Sequence, residues 1–217
     1  MTLELFSDVF EVKQEASALA PGAVLLRGLA APRTAQLLAD IECVAAAAPF
    51  RIMTTPGGYR MSVAMTNCGT AGWVSDASGY RYDSVDPISG QCWPPLPRSF
   101  AQLAADAAQR AGFGDFTPDA CLLNRYAPGA RLSLHQDRNE RDMRSPIVSV
   151  SLGLPAVFLF GGARRAERPR RVPLAHGDVV VWGGPARLFY HGVLALKDAE
   201  HHALGRCRVN LTLRRAR

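Results

Sequence analysis

Read for its hydrophobic and polar positions, the chain divides into two helices set among many short strands. Apolar residues Leu37, Leu38, Ile41, Val44 and Ala45 recur at helical spacing over Thr34 to Ala47. Phe100, Leu103, Ala104 and Ala107 do the same between Pro97 and Gly112, where the glycine is a stop signal. Ahead of the first helix, "GAVLLRGL" (Gly22 to Leu29) reads as a short strand. Beyond Gly112 the period shortens. The runs "ACLLNRY", "IVSVSLG", "AVFLFGG", "DVVVWGG", "RLFYHGV" and "RCRVNLTLR" are punctuated by Pro and Gly, which is strand rhythm. About seven or eight such strands predict a mainly β fold with flanking helices (α+β), a double-sheet roll or barrel with the helices packed outside.

Between the two helical patterns, residues 51–97 change character. This stretch is rich in Gly, Pro, Ser, Asp and aromatic residues, including Trp73, Tyr80 and Tyr82. A weakly patterned segment of this length inside a compact protein predicts a lid or binding insert. With no repeat and no convincing second boundary, residues 1–217 are expected to form one domain carrying that insert.

Composition narrows the class. An apolar content of 48% is ample for a packed core. The apolar runs are too short to cross a bilayer, and the opening "MTLELFSDVFEVKQEAS" has acidic residues where a signal peptide has an apolar core. A soluble, cytoplasmic, monomeric protein without a membrane partner is the expectation. The cysteines Cys43, Cys68, Cys92, Cys121 and Cys207 are scattered and form no C-x-x-C pair, which argues against a disulfide framework and a zinc knuckle. They read as reduced thiols, mostly core fillers. The net charge of +6 is carried almost entirely by arginine and suits a polyanionic partner. "RRAERPRR" (Arg164 to Arg171) concentrates that charge: either a solvated loop, or a grip on phosphates that would make affinity salt-dependent.

The candidate chemistry starts at "LSLHQD". Residues two apart in an extended segment point the same way, so His135 and Asp137 converge on one point. His191, in "RLFYHGV", falls on a segment whose alternation places Arg187, Phe189 and His191 on one side; the other histidines, His176, His201 and His202, sit beside turns or in a polar loop. If strands of a roll face each other, His135, Asp137 and His191 meet as a two-histidine, one-carboxylate set. Such a set leaves three adjacent positions open on an octahedral ferrous ion. H-x-D also occurs by chance, and a buried histidine is more often a hydrogen-bonded core residue, so both readings stand on these residues. "RCRVNLTLR" adds a second signal. Its alternation puts Arg206, Arg208, Asn210, Thr212 and Arg214 on one face and Cys207, Val209, Leu211 and Leu213 on the other. That is an edge strand with a solvated basic face, or the cationic wall of a dicarboxylate site.

Taken together, "PFRIMTTPGGYRMSVAMTNCG", "PDACLLNRYAPGARLSLHQD", "PIVSVSLGLPAVFLFGG", "HGDVVVWGG", "RLFYHG" and "CRVNLTLR" resemble the bacterial AlkB family of iron(II)- and 2-oxoglutarate-dependent nucleic-acid demethylases. The resemblance runs from about residue 20 to the last strand. It implies a double-stranded β-helix of jelly-roll, cupin-like form, with Fe(II) held by His135, Asp137 and His191, and O2 and 2-oxoglutarate as cosubstrates. It implies 2-oxoglutarate contacts from Asn124, Arg125, Tyr126, Arg208, Asn210 and Arg214, with Arg208 and Arg214 facing its carboxylates. Trp73, Tyr80, Tyr82, Asn139 and Arg165 would lie along the nucleotide cleft. The implied activity is demethylation of 1-methyladenine- or 3-methylcytosine-type bases in single-stranded DNA, with RNA or double-stranded DNA as further candidates. The methyl is hydroxylated and lost as formaldehyde, and 2-oxoglutarate ends as succinate and CO2. One position departs from the pattern: the best-known bacterial members carry an acid where this chain has Asn139, and an amide supplies no charge to offset a cationic base. Two other readings remain at this point, a hydroxylase of a small molecule or free modified nucleotide, and a non-catalytic nucleic-acid-binding module.

Overall fold

The computed structural model describes residues 16–217, so most of the opening segment read for an export signal lies outside the described residues. Strands β1 (Ala16–Ala20) and β2 (Ala23–Leu26) lead into α1 (Thr34–Ala47). There follow β3 (Arg51–Thr54), β4 (Arg60–Gly69), β5 (Gly72–Asp76) and β6 (Gly79–Asp83), then α2 (Arg98–Arg110). The C-terminal half supplies β7 (Ala120–Tyr126), β8 (Leu132–His135), β9 (Ile147–Gly153), β10 (Ala156–Phe160), β11 (Arg170–Leu174), β12 (Val179–Trp182), β13 (His191–Val193) and β14 (Arg208–Arg214). A large sheet in the order β1-β2-β12-β9-β14-β7-β4-β3 is accompanied by a smaller one, β11-β10-β13-β8, and by the β5–β6 hairpin.

Strand alternation sorts the side chains of the large sheet into two sets. Val148, Val150 and Leu152 of β9, Val179 and Val181 of β12, and Val209, Leu211 and Leu213 of β14 share one core cluster with Leu37, Ile41 and Val44 of α1 and with Phe100, Leu103 and Ala107 of α2. The helices therefore cover the outer face, as their spacing predicts. Gly112, at φ +85°, follows α2 in the left-handed region where glycine is at ease. The opposite face packs against the smaller sheet, with Val180 and Trp182 of β12 meeting Phe158 and Phe160 of β10, Val172 of β11 and Val193 of β13. Between the sheets that apolar filling gives way to a polar interior on β7, β9 and β14. The architecture is the double-stranded β-helix, with two sheets enclosing a cleft.

Several expectations need correction. Residues 51–97 are not wholly an insert, because β3 and β4 extend the large sheet and β4 pairs with β7 from Ala64 to Gly69. Of the strands in this stretch, only β5 and β6 stand outside the two main sheets. "RLFYHGV" is a strand solely from His191 onward, because the chain turns at Gly184–Ala186. "RCRVNLTLR" is no edge strand: β14 lies between β9 and β7 and is buried throughout. Arg206 precedes it and pairs with Asp198 at the surface. Among the cysteines, Cys68 and Cys121 are buried, but Cys43 and Cys92 are exposed, so core filling accounts for only part of the set. No helix among the described residues is long and apolar enough to cross a membrane.

Candidate active site

The register of the smaller sheet brings together three side chains that could hold a metal ion. Antiparallel pairing of β13 with β8 sets His191 directly opposite His135, and their rings lie 4.4 Å apart between centroids. Asp137 follows two residues after His135, just past the end of β8. One ligand atom from each of His135, Asp137 and His191 falls within 4.8 Å of the others. His135 Nε2 is 3.6 Å from Asp137 Oδ1, and His191 Nε2 is 3.7 Å from Oδ2.

Hydrogen bonding fixes the tautomers. His135 Nδ1 meets Ser133 O at 2.8 Å and His191 Nδ1 meets Phe189 O at 3.0 Å. A carbonyl can only accept, so each Nδ1 carries the proton and each Nε2 keeps its lone pair for a metal. Burial, reinforced by the neighbouring His191, pulls the His135 imidazole down to about 4, so it stays neutral and ligating at ordinary pH. Burial works against ionisation of Asp137, but the Arg214 guanidinium and the two imidazoles outweigh it and hold the carboxyl well below the usual range. Two imidazoles that each present Nε2, with an anionic carboxylate, are the donor set that a ferrous ion takes with positions to spare.

Beside the triad is a cationic pocket. Arg208 is 1% exposed; its Nη2 donates to Ser151 Oγ at 2.7 Å, and its guanidinium lies 4.9 Å from the centre of the Tyr126 ring. Its Nε and Nη1 have no hydrogen-bond partner. Burial pushes against its charge, so an unmatched guanidinium here calls for an anion. Asn210 donates to Ser149 Oγ (2.8 Å) and Val150 O (2.9 Å), and its Oδ1 accepts from Asn124 and Thr212. Asn124 Oδ1 is also unpartnered. These free polar atoms suit a small dicarboxylate. Thr212, already placed on this face by alternation, supports the pocket together with Ser149 and Ser151, which the sequence reading did not single out. Their signal was present in "IVSVSLG", where serines alternate with core-facing valines.

Arg214 connects this pocket to the triad, donating to Asp137 Oδ2 at 2.6 Å through Nη2 and at 3.1 Å through Nε. It also approaches Glu140 Oε1 at 3.2 Å. Glu140, 2% exposed in its side chain, is a further residue that the sequence reading did not name. Its Oε1 accepts from the Tyr82 hydroxyl at 2.7 Å and its Oε2 faces Arg187 Nη2 at 3.1 Å. Arg187 in turn donates to the backbone oxygens of Asp137 and Ser145. Burial opposes the charge on Arg214, yet Asp137, Tyr82 and Glu140 together raise its pKa further.

Not every predicted site residue reaches the cleft. Trp73, Tyr80, Asn139 and Arg165 line it, together with Asn124, Tyr126, Arg208, Asn210, Arg214 and the triad. Trp73 and Tyr80 stack at 5.6 Å, and Trp73 Nε1 donates to Asn139 Oδ1 at 3.2 Å. Arg125 is turned away. It sits between Asn124 and Tyr126 on β7, so alternation sends it to the other face, where its guanidinium covers the Phe50 ring at 4.5 Å. Tyr82 is likewise absent from the cleft wall, its hydroxyl committed to Glu140. Of the Arg164–Arg171 run, only Arg165 lines the cleft; Arg164 pairs with Glu167, and Arg170 and Arg171 belong to β11. Tyr82→Phe is expected to loosen the hairpin, costing about 1.5–3 kcal/mol for a bond to a charged acceptor. A urea titration reads this; an unchanged midpoint would show that the contact does not secure the hairpin.

The 2OG-Fe(II) oxygenase superfamily model matches residues 22–214. The chain is 57% identical to the alpha-ketoglutarate-dependent dioxygenase AlkB of Escherichia coli (strain K12), over 99% of this chain and 98% of that protein. It belongs to the AlkB family of 2OG-Fe(II) oxygenases. A second AlkB, from Salmonella typhimurium, is 56% identical over the same shares. The human protein named nucleic acid dioxygenase ALKBH1 is 35% identical over 62% of this chain and 35% of its own length. Among solved structures, OsALKBH1 superposes with a TM-score of 0.82 at 28% identity, covering 93% of this chain and all of that one. As an AlkB-family member the protein is an Fe(II)- and 2-oxoglutarate-dependent dioxygenase using O2, which sets aside the non-catalytic binding module.

Proposed function

We propose that this dioxygenase removes methyl groups from ring nitrogens of nucleic-acid bases, of the 1-methyladenine and 3-methylcytosine type, as a direct reversal of alkylation damage. The observation that carries the reading is one cleft of about 720 Å3 that holds all the necessary parts. The His135, Asp137 and His191 triad and the Arg208 pocket lie in its interior. Trp73 and Tyr80 stack at its side, and the exposed arginines Arg60, Arg131, Arg138 and Arg165 line it as well. None of those four has a carboxylate within 4.0 Å among the described residues, which suits a phosphate backbone. The human relative's name, nucleic acid dioxygenase, supports the substrate class.

In this reading His135, Asp137 and His191 hold the iron, and Arg208 receives one carboxylate of 2-oxoglutarate on its free Nε and Nη1. Asn124, Tyr126 and Asn210 shape the pocket around it, while Arg214 orients Asp137 and faces the other carboxylate. Iron with 2-oxoglutarate and O2, when bound, supplies the oxidising power that hydroxylates a C–H bond. Met65, Phe158 and Trp182 help wall the cleft and restrict water. A methyl on the pairing edge blocks base pairing and so lowers the cost of turning the nucleotide out of its stack. Trp73 and Tyr80 offer a stacking surface, worth about 1–3 kcal/mol per base. The hydroxymethyl group left on nitrogen then falls away as formaldehyde. Single-stranded DNA is the proposed substrate, with RNA and duplex DNA as comparisons, and the enzyme is proposed to act as a cytoplasmic monomer.

Formaldehyde release from a 1-methyladenine oligonucleotide tests this. Omission of Fe(II) or of 2-oxoglutarate is expected to bring release to baseline. Equal turnover of methylated nucleoside and oligonucleotide would point instead to a small-molecule hydroxylase.

A further inference from the structure

A second groove adjoins the main cleft. It measures about 260 Å3 and is lined by Tyr80, Arg81, Tyr82, Asn139, Arg141, Ala216 and Arg217. Tyr80 and Asn139 line both this groove and the main cleft, so the two cavities share a single wall. Arg141 N donates to Ala216 O at 3.0 Å, which joins the segment after the triad to the segment after β14, both of which line the groove.

The charges in this groove are unevenly matched. Arg81 is held by Asp76, at 3.0 Å through two donors, and by Asp83 at 3.4 Å. The guanidiniums of Arg141 and Arg217 have no carboxylate within 4.0 Å among the described residues. The neighbouring acids are engaged elsewhere. Asp142 serves Arg144 and Ser145, and Asp119 accepts from the backbone N–H groups of residues 216 and 217. The shared wall is also neutral: Asn139 carries no charge, and its Oδ1 is taken by Trp73, which leaves its amide N–H groups free to donate. An aromatic and amide wall with two unmatched guanidiniums behind it offers a site for an anion that is part of a chain already lying in the main cleft.

We propose that this groove is a phosphodiester-binding extension of the substrate site, in which Arg141 and Arg217 hold the strand's backbone beyond the nucleotides that immediately flank the base in the cleft. The inference rests on the nucleic-acid reading above and adds to it a second anchoring point. A minimal substrate would not reach both cavities; a longer strand crossing Tyr80 and Asn139 would. Substrate length, and not the chemistry at the triad, is therefore the variable that exposes the groove.

The test compares wild type with the Arg141→Ala, Arg217→Ala double variant on two single-stranded substrates carrying the same 1-methyladenine, a trinucleotide and a strand of about twelve nucleotides. Both arginines are exposed, so folding is not at stake. For the long strand, KM is expected to rise roughly five- to tenfold in the variant, and the slope of log affinity against log salt to flatten by about 0.7 to 1.4, one to two phosphates' worth. For the trinucleotide, KM and kcat should match wild type. An unchanged KM and salt slope on the long strand, or an equal loss on both substrates, would overturn the proposal. Wild-type turnover of neither substrate would be a different failure, since it would remove the nucleic-acid reading itself.

Discussion

Asp137→Ala is expected to lower turnover by about 1,000-fold or more, equivalent to roughly 4 kcal/mol in the barrier. Asp137 is the single anionic member of the triad, and the two imidazoles alone would hold a divalent ion weakly. The same substitution also strips Arg214 of its 2.6 Å partner and leaves it only Glu140 at 3.2 Å. Breaking a buried pair from one side costs about 3 kcal/mol, so partial unfolding could mimic the loss. Asp137→Asn separates the two effects. It keeps the volume and an oxygen donor while removing the charge, and it should also bind Co(II) far more weakly than wild type in a spectroscopic titration. Activity within tenfold of wild type in a folded Asp137→Asn variant would remove this residue from the metal.

The second large effect concerns Arg208 and has opposite signs for ligand binding and stability. Arg208→Leu should raise the dissociation constant for 2-oxoglutarate by roughly 30-fold to several thousand-fold, the 2–5 kcal/mol associated with truncating one side of a buried charge pair. Without the cosubstrate, the same change should leave the protein as stable as wild type or more so. Wild-type Arg208 carries a charge at 1% exposure with Nε and Nη1 unpartnered, and replacing buried charge by an apolar side chain is often neutral or stabilising by about 1–4 kcal/mol. Thermal melts with and without 2-oxoglutarate, with Mn(II) in place of iron, measure both. The wild type should gain several degrees on addition of the keto acid and the variant should not. A variant that is destabilised yet keeps its 2-oxoglutarate affinity would show that Arg208 is a structural residue and that the pocket takes something else.

Local pattern carried much of the architecture. The apolar spacing of α1 and α2 identified both helices and the face each buries, because a helix seated on one side of a sheet must repeat its apolar residues every three or four positions. Alternation along β14 separated Val209, Leu211 and Leu213 from Arg208, Asn210, Thr212 and Arg214, and the two sets do face opposite layers. The same rule, applied one strand over, would have excluded Arg125 and included Ser149 and Ser151. Pattern failed where neighbours decide. The basic face of β14 has the composition of an exposed edge, yet it is buried because β7 and β9 flank it and the smaller sheet closes over the cleft. Nothing within "RCRVNLTLR" reports its position in the sheet. Residues 51–97 misled for the converse reason: β4 takes its order from pairing with β7, a partner far along the chain, and β3 pairs in turn with β4.

By itself, the sequence determined which residue types were available and how they alternate: two imidazoles, a carboxylate two positions from one of them, and a strand with a cationic side. These are consequences of period and side-chain chemistry, which are local. Tertiary structure alone decided that His191 lies opposite His135, that Arg214 reaches Asp137 while Arg208 keeps free donors, and that Glu140 ties the hairpin to the triad through Tyr82. Each of these depends on strand register and sheet order, set by the packing of the whole chain, and a one-residue slip in the β8–β13 register would have turned one histidine away from the other.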